Sequence, residues 1–202
     1  MALPQPTHDD LRDTAAFEAL MWAMARPGTV HSLPEGMADL ALALLDRETR
    51  VHVEERALAC RIAATGAALV APDRADHAFC ATAEGAMAAL AVLPVGSALY
   101  PDEGATLVMP AIIGTGPSLR LTGPGIEGHS TLRLGGLPEG LLDLRSARCR
   151  YPEGRDPLRS WHLPVVRTMP QRWLGPEHRS DHHGPEWLIA RDVLGDRGLA
   201  WF

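Results

Sequence analysis

The stretch from Ala105 to Ile113 is almost continuously apolar and short enough to form a single strand. A strand with one face in water alternates apolar and polar residues, whereas an unbroken apolar run is typical of a strand covered on both faces. Such a strand needs other elements packed on both sides of its sheet. The rest of the chain must therefore supply amphipathic helices to cover that sheet.

Helical periodicity is present before and after this strand. A first helix is predicted over 13–25, where apolar residues recur at the spacing of one buried face: Phe17, Leu20, Met21 and Met24. This helix should end at Arg26-Pro27-Gly28, because proline disfavours a helical residue before it. Further helices are predicted over 37–46, 56–65 and 138–148.

Alternation of apolar and polar residues predicts additional strands around 51–53, 77–79, 119–121 and 132–134. The segments 114–117 and 123–128 are rich in glycine and proline and are predicted to be the turns between the later strands. Helices and strands that share one chain in this way favour layers over a helical bundle or an all-β barrel. We expect an α/β fold in which helices flank a mixed sheet.

Composition excludes several classes of function. The 202 residues are 46% hydrophobic and 22% charged, as in one globular domain with a buried core. The 19 basic residues are all arginine; with 25 acidic residues the net charge is −6, and no basic run suits a nucleic acid partner. Because lysine is absent, the chain cannot form a Schiff base, hold pyridoxal phosphate as an aldimine or supply a Walker-type lysine.

The sequence also bears on location. Residues 1–13 lack the apolar core of a signal peptide, and the apolar stretches around 40–45 and 87–100 are too short or too interrupted to cross a bilayer. The cysteines are widely separated, so we expect buried free thiols in a reducing compartment. They are Cys60, Cys80 and Cys149. These features predict a soluble cytoplasmic protein with no membrane partner.

One cluster of metal-ligating residue types lies near the C-terminus, formed by His178, Asp181, His182 and His183. Imidazole and carboxylate groups bind zinc, but this spacing matches no mechanism-bearing motif. A solvated or structural role is therefore favoured over a metal site. The alternative function that the His178–His183 cluster leaves open is a stand-alone metal-dependent hydrolase, with an acidic residue such as Glu103.

Other candidate groups also have simpler interpretations. Asp102 and Glu103 could act in general acid-base chemistry, yet their neighbours are turn-forming residues, which favours solvated carboxylates. Cys60 is predicted to lie on an apolar helix and to fill part of the hydrophobic core. Arg120 and Arg133 occur on alternating strands and are candidates for contacts with an anion or with another subunit. The residues alone thus predict an α/β domain without a self-sufficient active site.

Four segments carry short motifs: F-E-A-L-M-W-A-M-A-R-P-G at 17–28, Y-P-D-E-G-A-T-L at 100–107, L-R-L-T-G-P-G-I at 119–126 and Y-P-E-G-R-D at 151–156. In this order and spacing they resemble the PhnH family, whose members are subunits of the carbon–phosphorus (C–P) lyase core complex of phosphonate metabolism. The resemblance covers roughly residues 12–156. The resemblance implies that a set of motif residues is important for fold and assembly: Phe17, Met21, Met24, Pro27, Gly28, Glu103, Gly104, Thr106, Gly123, Pro124 and Gly125.

The resemblance implies a fold related to pyridoxal-phosphate-dependent transferases but without the cofactor, in agreement with the missing lysine. It implies a homodimer in isolation and a complex with subunits G, I and J. With ATP, that system couples a phosphonate to the nucleotide's ribose, releases adenine and forms ribose 1-phosphonate 5-triphosphate. A PhnH-like chain is expected to be a non-catalytic accessory subunit that holds neither metal nor cofactor, with ATP used by the complex.

The resemblance ends near Asp156, which predicts a PhnH-like domain over 1–156 and a divergent, partly irregular segment over 157–202, rich in Trp, His and Pro. Only 185–194 has a helical pattern there. Val166-Arg167-Thr168-Met169 is a faint echo of the family's final strand. We hypothesise that this segment packs poorly or becomes ordered against a partner.

Overall fold

The computed structural model describes residues 5–33, 35–97, 99–100, 103–121, 125–148, 165–168 and 186–191. The helices are α1 (His8–Ala25), α2 (Met37–Leu44), α3 (Arg56–Ile62), α4 (Ala83–Leu90) and α5 (Leu141–Arg148). The strands are β1 (Val30–Leu33), β2 (Arg50–Val53), β3 (Ala68–Leu69), β4 (His77–Phe79), β5 (Thr106–Leu121), β6 (Ser130–Gly135), β7 (Val165–Thr168) and β8 (Glu186–Arg191). None of these helices is long and apolar enough to cross a bilayer.

The strands form one mixed sheet in the order β1-β7-β8-β5-β4-β2-β3. Strand β1 is parallel to β7, and β5, β4, β2 and β3 form a second parallel group. Strand β8 is antiparallel to its neighbours β7 and β5, and it joins the two groups. Strand β6 lies outside this order and pairs antiparallel with the second half of β5. The prediction of a mixed sheet flanked by helices is confirmed.

Successive residues of the central strands face two separate cores. Phe79 and Val108 pack with the apolar faces of α1, α2 and α3 on one side of the sheet. Leu107 and Met109 pack on the other side with residues of α4, β6 and α5. All four side chains are at most 3% exposed. The strand inferred from the apolar run 105–113 is therefore covered on both faces over 106–109, as its composition predicts, whereas Ile112 is 51% exposed.

Helix α1 begins earlier than its apolar periodicity indicates because a capping box precedes it. The Thr7 hydroxyl accepts from the Asp10 amide at 3.1 Å, and the Asp10 carboxylate accepts from the Thr7 amide at 2.8 Å. The helix therefore starts at His8 and ends at Ala25, where the prediction placed its end. Its buried face is formed by Ala16, Leu20 and Ala23, whereas Phe17, predicted on that face, is 42% exposed.

The glycine-rich segment 114–117 is not the turn between two strands that the sequence predicts. Strand β5 continues from Thr106 to Leu121, and its register against β6 shifts between Ile113 and Ser118. The extra residues form a bulge, in which Gly114 and Gly116 have φ angles of 85° and 70°. Positive φ is accessible to glycine at low cost, so the chain forms the bulge without ending the strand.

The C-terminal segment contributes β7 and β8 to the sheet. Strand β8 pairs with β5 from Thr106↔Arg191 to Ala111↔Glu186, so the helix predicted over 185–194 is wrong at these residues. Pairing with a central strand has overridden a weak helical pattern. Strand β7 includes the faint family echo at Val166-Arg167-Thr168. The domain boundary at 156 and ordering of 157–202 against a partner stay predictions.

One of the two described cysteines is not buried as the sequence interpretation predicts. Cys80 directly follows β4 and is fully buried, whereas Cys60, predicted to fill the core, is exposed on α3. Burial raises the pKa of the Cys80 thiol to about 12, with a further increase from the nearby Glu54 carboxylate. Cys149 lies outside the described residues.

Alkylation should therefore distinguish these two thiols. We expect iodoacetamide at pH 8 to modify Cys60 in the native protein and to leave Cys80 unmodified, because reaction requires an accessible thiolate. Peptide mass mapping identifies the labelled cysteines, and denatured protein provides the control in which both react. Equal labelling of Cys80 and Cys60 in native protein would contradict the buried position of Cys80.

Candidate functional site

Two of the motif-bearing segments lie against each other. Gly28, in the turn after α1, has a φ of 93°, and a Cβ there would lie 2.8 Å from the Ser130 hydroxyl. Gly125, in the turn between β5 and β6, has a φ of 80°, and a Cβ there would overlap the Ala25 carbonyl oxygen and lie 3.0 Å from Pro27. Gly125 therefore permits a close approach between two backbones, and Gly28 leaves room for the side chains of Ser130 and Leu121. The contact joins the end of α1 to the β5–β6 turn.

The motif segment around 100–107 leads into β5 and is fixed there by backbone hydrogen bonds. The amide of Ala105 donates to the Pro94 carbonyl at 3.0 Å, and the amide of Thr106 donates to the Asp76 carbonyl at 2.9 Å. Gly104 and Thr106 are buried, and Glu103 is exposed. These bonds place the first residue of β5 beside β4. Gly123, Pro124 and the segment 151–156 lie outside the described residues.

Met21 and Met24, also singled out by the resemblance, are half-buried on α1. Met24 packs against the core on the α1–α3 side of the sheet. The described motif residues are thus divided between helix packing, a contact between two turns and the start of a strand. The structure does not bring them together as one reactive cluster.

Arg120 and Arg133 do share a surface. Arg120 is opposite Thr131 and Arg133 is opposite Ser118 in the antiparallel β5–β6 pair. Directly opposed residues point to the same side of a ribbon, as do residues two apart, so all four side chains lie on one face. All four are exposed. We call this set of residues, Ser118, Arg120, Thr131 and Arg133, the arginine face.

Arg133 also supports the β5 bulge. Its Nε donates to the Gly116 carbonyl oxygen at 3.2 Å. A Cβ on Gly116 would overlap the Leu134 carbonyl, so the bulge lies tightly against β6. The arginine face is consequently carried by a ribbon with fixed geometry, and its other side is anchored in the core by Leu132 and Leu134.

Glu54 forms a second polar group, at the carboxyl ends of the parallel strands. Its carboxylate accepts from the Ala81 amide at 2.6 Å, the Thr82 amide at 3.0 Å and the Thr82 hydroxyl at 2.6 Å. Thr82 is the N-cap of α4, and its hydroxyl oxygen accepts from the Gly85 amide at 3.0 Å. Burial pushes the pKa of Glu54 upward, but the hydrogen bonds from Thr82 and Ala81 outweigh it and hold that pKa below its ordinary 4.5.

The position of Glu54 has a chemical consequence. The N-terminus of a helix at the carboxyl end of parallel strands is where many α/β proteins bind a phosphate. Here the chain's own carboxylate accepts from the amides of Ala81 and Thr82, directly before α4, and from the Thr82 hydroxyl. Gly85 leaves room for it, because a Cβ on Gly85 would overlap both Glu54 carboxylate oxygens.

Asp39 is a buried carboxylate in the first turn of α2. Its Oδ2 accepts from the Glu35 amide at 2.7 Å, and its Oδ1 lies 3.9 Å from Arg12 Nε, with no hydrogen-bond partner among the described residues. Burial raises the pKa of Asp39, and the bond from the Glu35 amide opposes that rise. The Glu35 side chain pairs with Arg61 at 2.5 Å. This group ties the start of α2 to α1 and α3.

Sequence reasoning missed Glu54, Gly85 and Asp39. A threonine before the alanine-rich stretch 83–90 is a recognisable N-cap signal for α4, which was not predicted. No local pattern joins Glu54 to Thr82, because the pairing is created by the parallel arrangement of β2 and β4. The His178–His183 cluster lies outside the described residues, and the part that is described contains no group of three or more His, Cys, Asp or Glu placed to hold a metal ion.

The described motif residues of this mixed α/β domain shape turns and strand contacts, and such a fold does not by itself define a function. Comparison with known proteins identifies the family. The model of the bacterial phosphonate metabolism protein PhnH matches residues 5–159. The chain is also 33% identical over 159 residues to the putative C-P lyase subunit protein HtxG of Stutzerimonas stutzeri, covering 72% of this chain and 76% of that protein. The chain belongs to the PhnH family.

Proposed function

We propose that this chain is an accessory, non-catalytic subunit of the C–P lyase core complex, assembling with subunits G, I and J. The observation that carries the proposal is the family match over residues 5–159, together with a relative named as a C-P lyase subunit. The described motif residues support it, because they build contacts within the fold. The same proposal places the protein in the cytoplasm, with self-association into a homodimer when the partners are absent.

The reaction of the assembled complex is part of the proposal. ATP and a phosphonate would be converted to ribose 1-phosphonate 5-triphosphate with release of adenine, by residues of other subunits. The proposal includes a fold related to pyridoxal-phosphate-dependent transferases that has lost the cofactor chemistry; the absence of lysine supports that loss, since no aldimine can form. Glu54 supports the same loss, because its carboxylate accepts from the amides of Ala81 and Thr82 directly before α4, a place where many α/β proteins bind a phosphate.

Co-expression with the cognate G, I and J subunits tests the proposal. We expect native mass spectrometry to detect a complex containing this chain, and we expect the phosphonate-dependent release of adenine from ATP to require it. Addition of the purified chain to a G–I–J preparation should restore that activity. Assembly and full activity of G, I and J without this chain, with no incorporation of the chain, would overturn the proposal.

A further inference from the structure

Strand β6 has a free edge in the part of the chain that the structure describes. It is hydrogen-bonded to β5 on one side, and no other strand pairs with it. Its sequence, S-T-L-R-L-G, contains no proline, and the bulge of the ribbon lies in β5. Exposed edges present a row of unpaired amide and carbonyl groups that readily accept another strand, and proteins usually protect them with charged side chains, prolines or bulges. The β6 edge carries neither a proline nor a bulge within its own residues, and its one charged side chain is Arg133.

The arginine face beside this edge carries only positive charge. The ion pairs in the described part of the chain involve Arg12, Arg50 and Arg61, and none of them includes Arg120 or Arg133. The two guanidinium groups thus lie exposed on the arginine face without a carboxylate partner there, in a chain whose net charge is −6. Guanidinium groups prefer carboxylate or phosphate oxygens, which they bind through paired hydrogen bonds.

A second copy of β6 does not suit this edge. Antiparallel pairing of two β6 strands would place Arg133 of each copy on or close to the same face, and like charges across a strand pair are destabilising. An extended segment with acidic side chains at alternate positions suits it better. Its backbone would pair with the β6 edge, and every second side chain would point to the side of the arginine face.

We propose that a partner subunit of the complex adds an extended acidic segment to the free edge of β6, with its carboxylates paired to Arg120 and Arg133. This inference rests on the proposed function, because the partner is a C–P lyase subunit. Arg133 lies on the receiving strand and contacts the segment directly, and Arg120 reaches it from β5. The core contacts of Leu132 and Leu134 hold the edge rigid before binding, which lowers the entropy cost of docking.

Charge reversal tests the side-chain part of the proposal. The wild-type chain, Arg120→Glu, Arg133→Glu and the double variant are each co-expressed with G, I and J and examined by native mass spectrometry and titration. We expect each single reversal to weaken assembly about tenfold and the double reversal about a hundredfold. Arg74→Glu is the matched control, since Arg74 is exposed in the turn between β3 and β4 and carries the same charge change. It should alter assembly less than about twofold.

Hydrogen exchange tests the strand addition separately and needs no variant. Amides of residues 130–135 that are unprotected in the free chain should become protected in the wild-type complex, and the amides of Asp73 and Arg74 should not change. Circular dichroism identifies any variant that fails to fold, and the milder pair Arg120→Gln and Arg133→Gln then takes its place, with an expected loss of about tenfold when combined.

The outcomes separate the two proposals. Normal assembly of the double-reversal variant, or a wild-type complex that shows no new protection over 130–135, overturns the docking site and leaves the accessory-subunit function in place. Failure of the wild-type chain to join its partners overturns both. Normal assembly of the double reversal, combined with loss of inorganic triphosphate binding by the isolated chain, would assign the arginine face to a small anion and overturn the docking site.

Discussion

Gly125→Ala is expected to lower the free energy of unfolding by about 3 kcal/mol, a large effect for the addition of one methyl group. Two costs combine at this position. Gly125 has a φ of 80°, where any side chain is strained, and the new Cβ would overlap the Ala25 carbonyl oxygen. Backbone atoms cannot move aside as a flexible side chain can, so the β5–β6 turn must separate from the end of α1.

Gly128 provides the matched control in the same turn. Its φ is 71°, and a Cβ there would have no atom within 4 Å, so Gly128→Ala carries the conformational strain without the overlap. We expect it to cost about 1 kcal/mol. Urea denaturation followed by circular dichroism measures both variants. Equal destabilisation by the two substitutions would show that the contact between the two motif segments contributes nothing to stability.

Glu54 and Gly85 are expected to be strongly coupled in a double-mutant cycle. Glu54→Ala should destabilise the protein by about 1 kcal/mol, because the donors at the start of α4 lose their acceptor. Gly85→Ala alone should be neutral or destabilising, since its Cβ displaces the carboxylate. In the Glu54→Ala background the same change should stabilise by about 1 kcal/mol, because alanine is the better helix former and no carboxylate is in the way.

The pH dependence supplies an independent check on Glu54. A carboxyl group whose pKa is lowered by folding stabilises the native state above its unfolded pKa, and that contribution is lost as the pH falls through the lower native value. The stability difference between wild type and Glu54→Gln should therefore be largest near pH 6–7 and should shrink below the ordinary pKa of 4.5. A cycle with additive effects, or a stability difference that does not change with pH, would contradict the role of Glu54 as acceptor for Ala81 and Thr82.

The local elements were predictable where a single local signal decides them. Four of the five helices predicted from apolar spacing and turn residues are present, although α1 starts earlier because of Thr7 and Asp10 and α5 starts at Leu141. The motif residues also indicated the family, which the comparisons confirm. Local signals could not predict which secondary structure a weakly patterned segment adopts. Residues 186–191 became a strand because β5 and β7 both pair with them.

The candidate surfaces were likewise predictable from the sequence only in part. The sequence indicated Arg120 and Arg133 as residue types suited to an anion or a subunit, but only the register of β5 against β6 places them on one face. That register depends on the bulge at 114–117, which the sequence suggested was a turn. Glu54 could not be found at all, because its partners at 81 and 82 come near only when β2 and β4 lie side by side.

The amino-acid sequence by itself determined the class of fold, the loss of lysine chemistry and the family, because these depend on composition and short-range order along the chain. The tertiary structure decided which strands are neighbours, that Glu54 accepts from the amides of Ala81 and Thr82, and that the two arginines share one exposed face of the β5–β6 ribbon. The physical reason is that contacts between residues distant in the sequence are set by strand order and register. These follow from the burial of both faces of the sheet together, and no local segment encodes them alone.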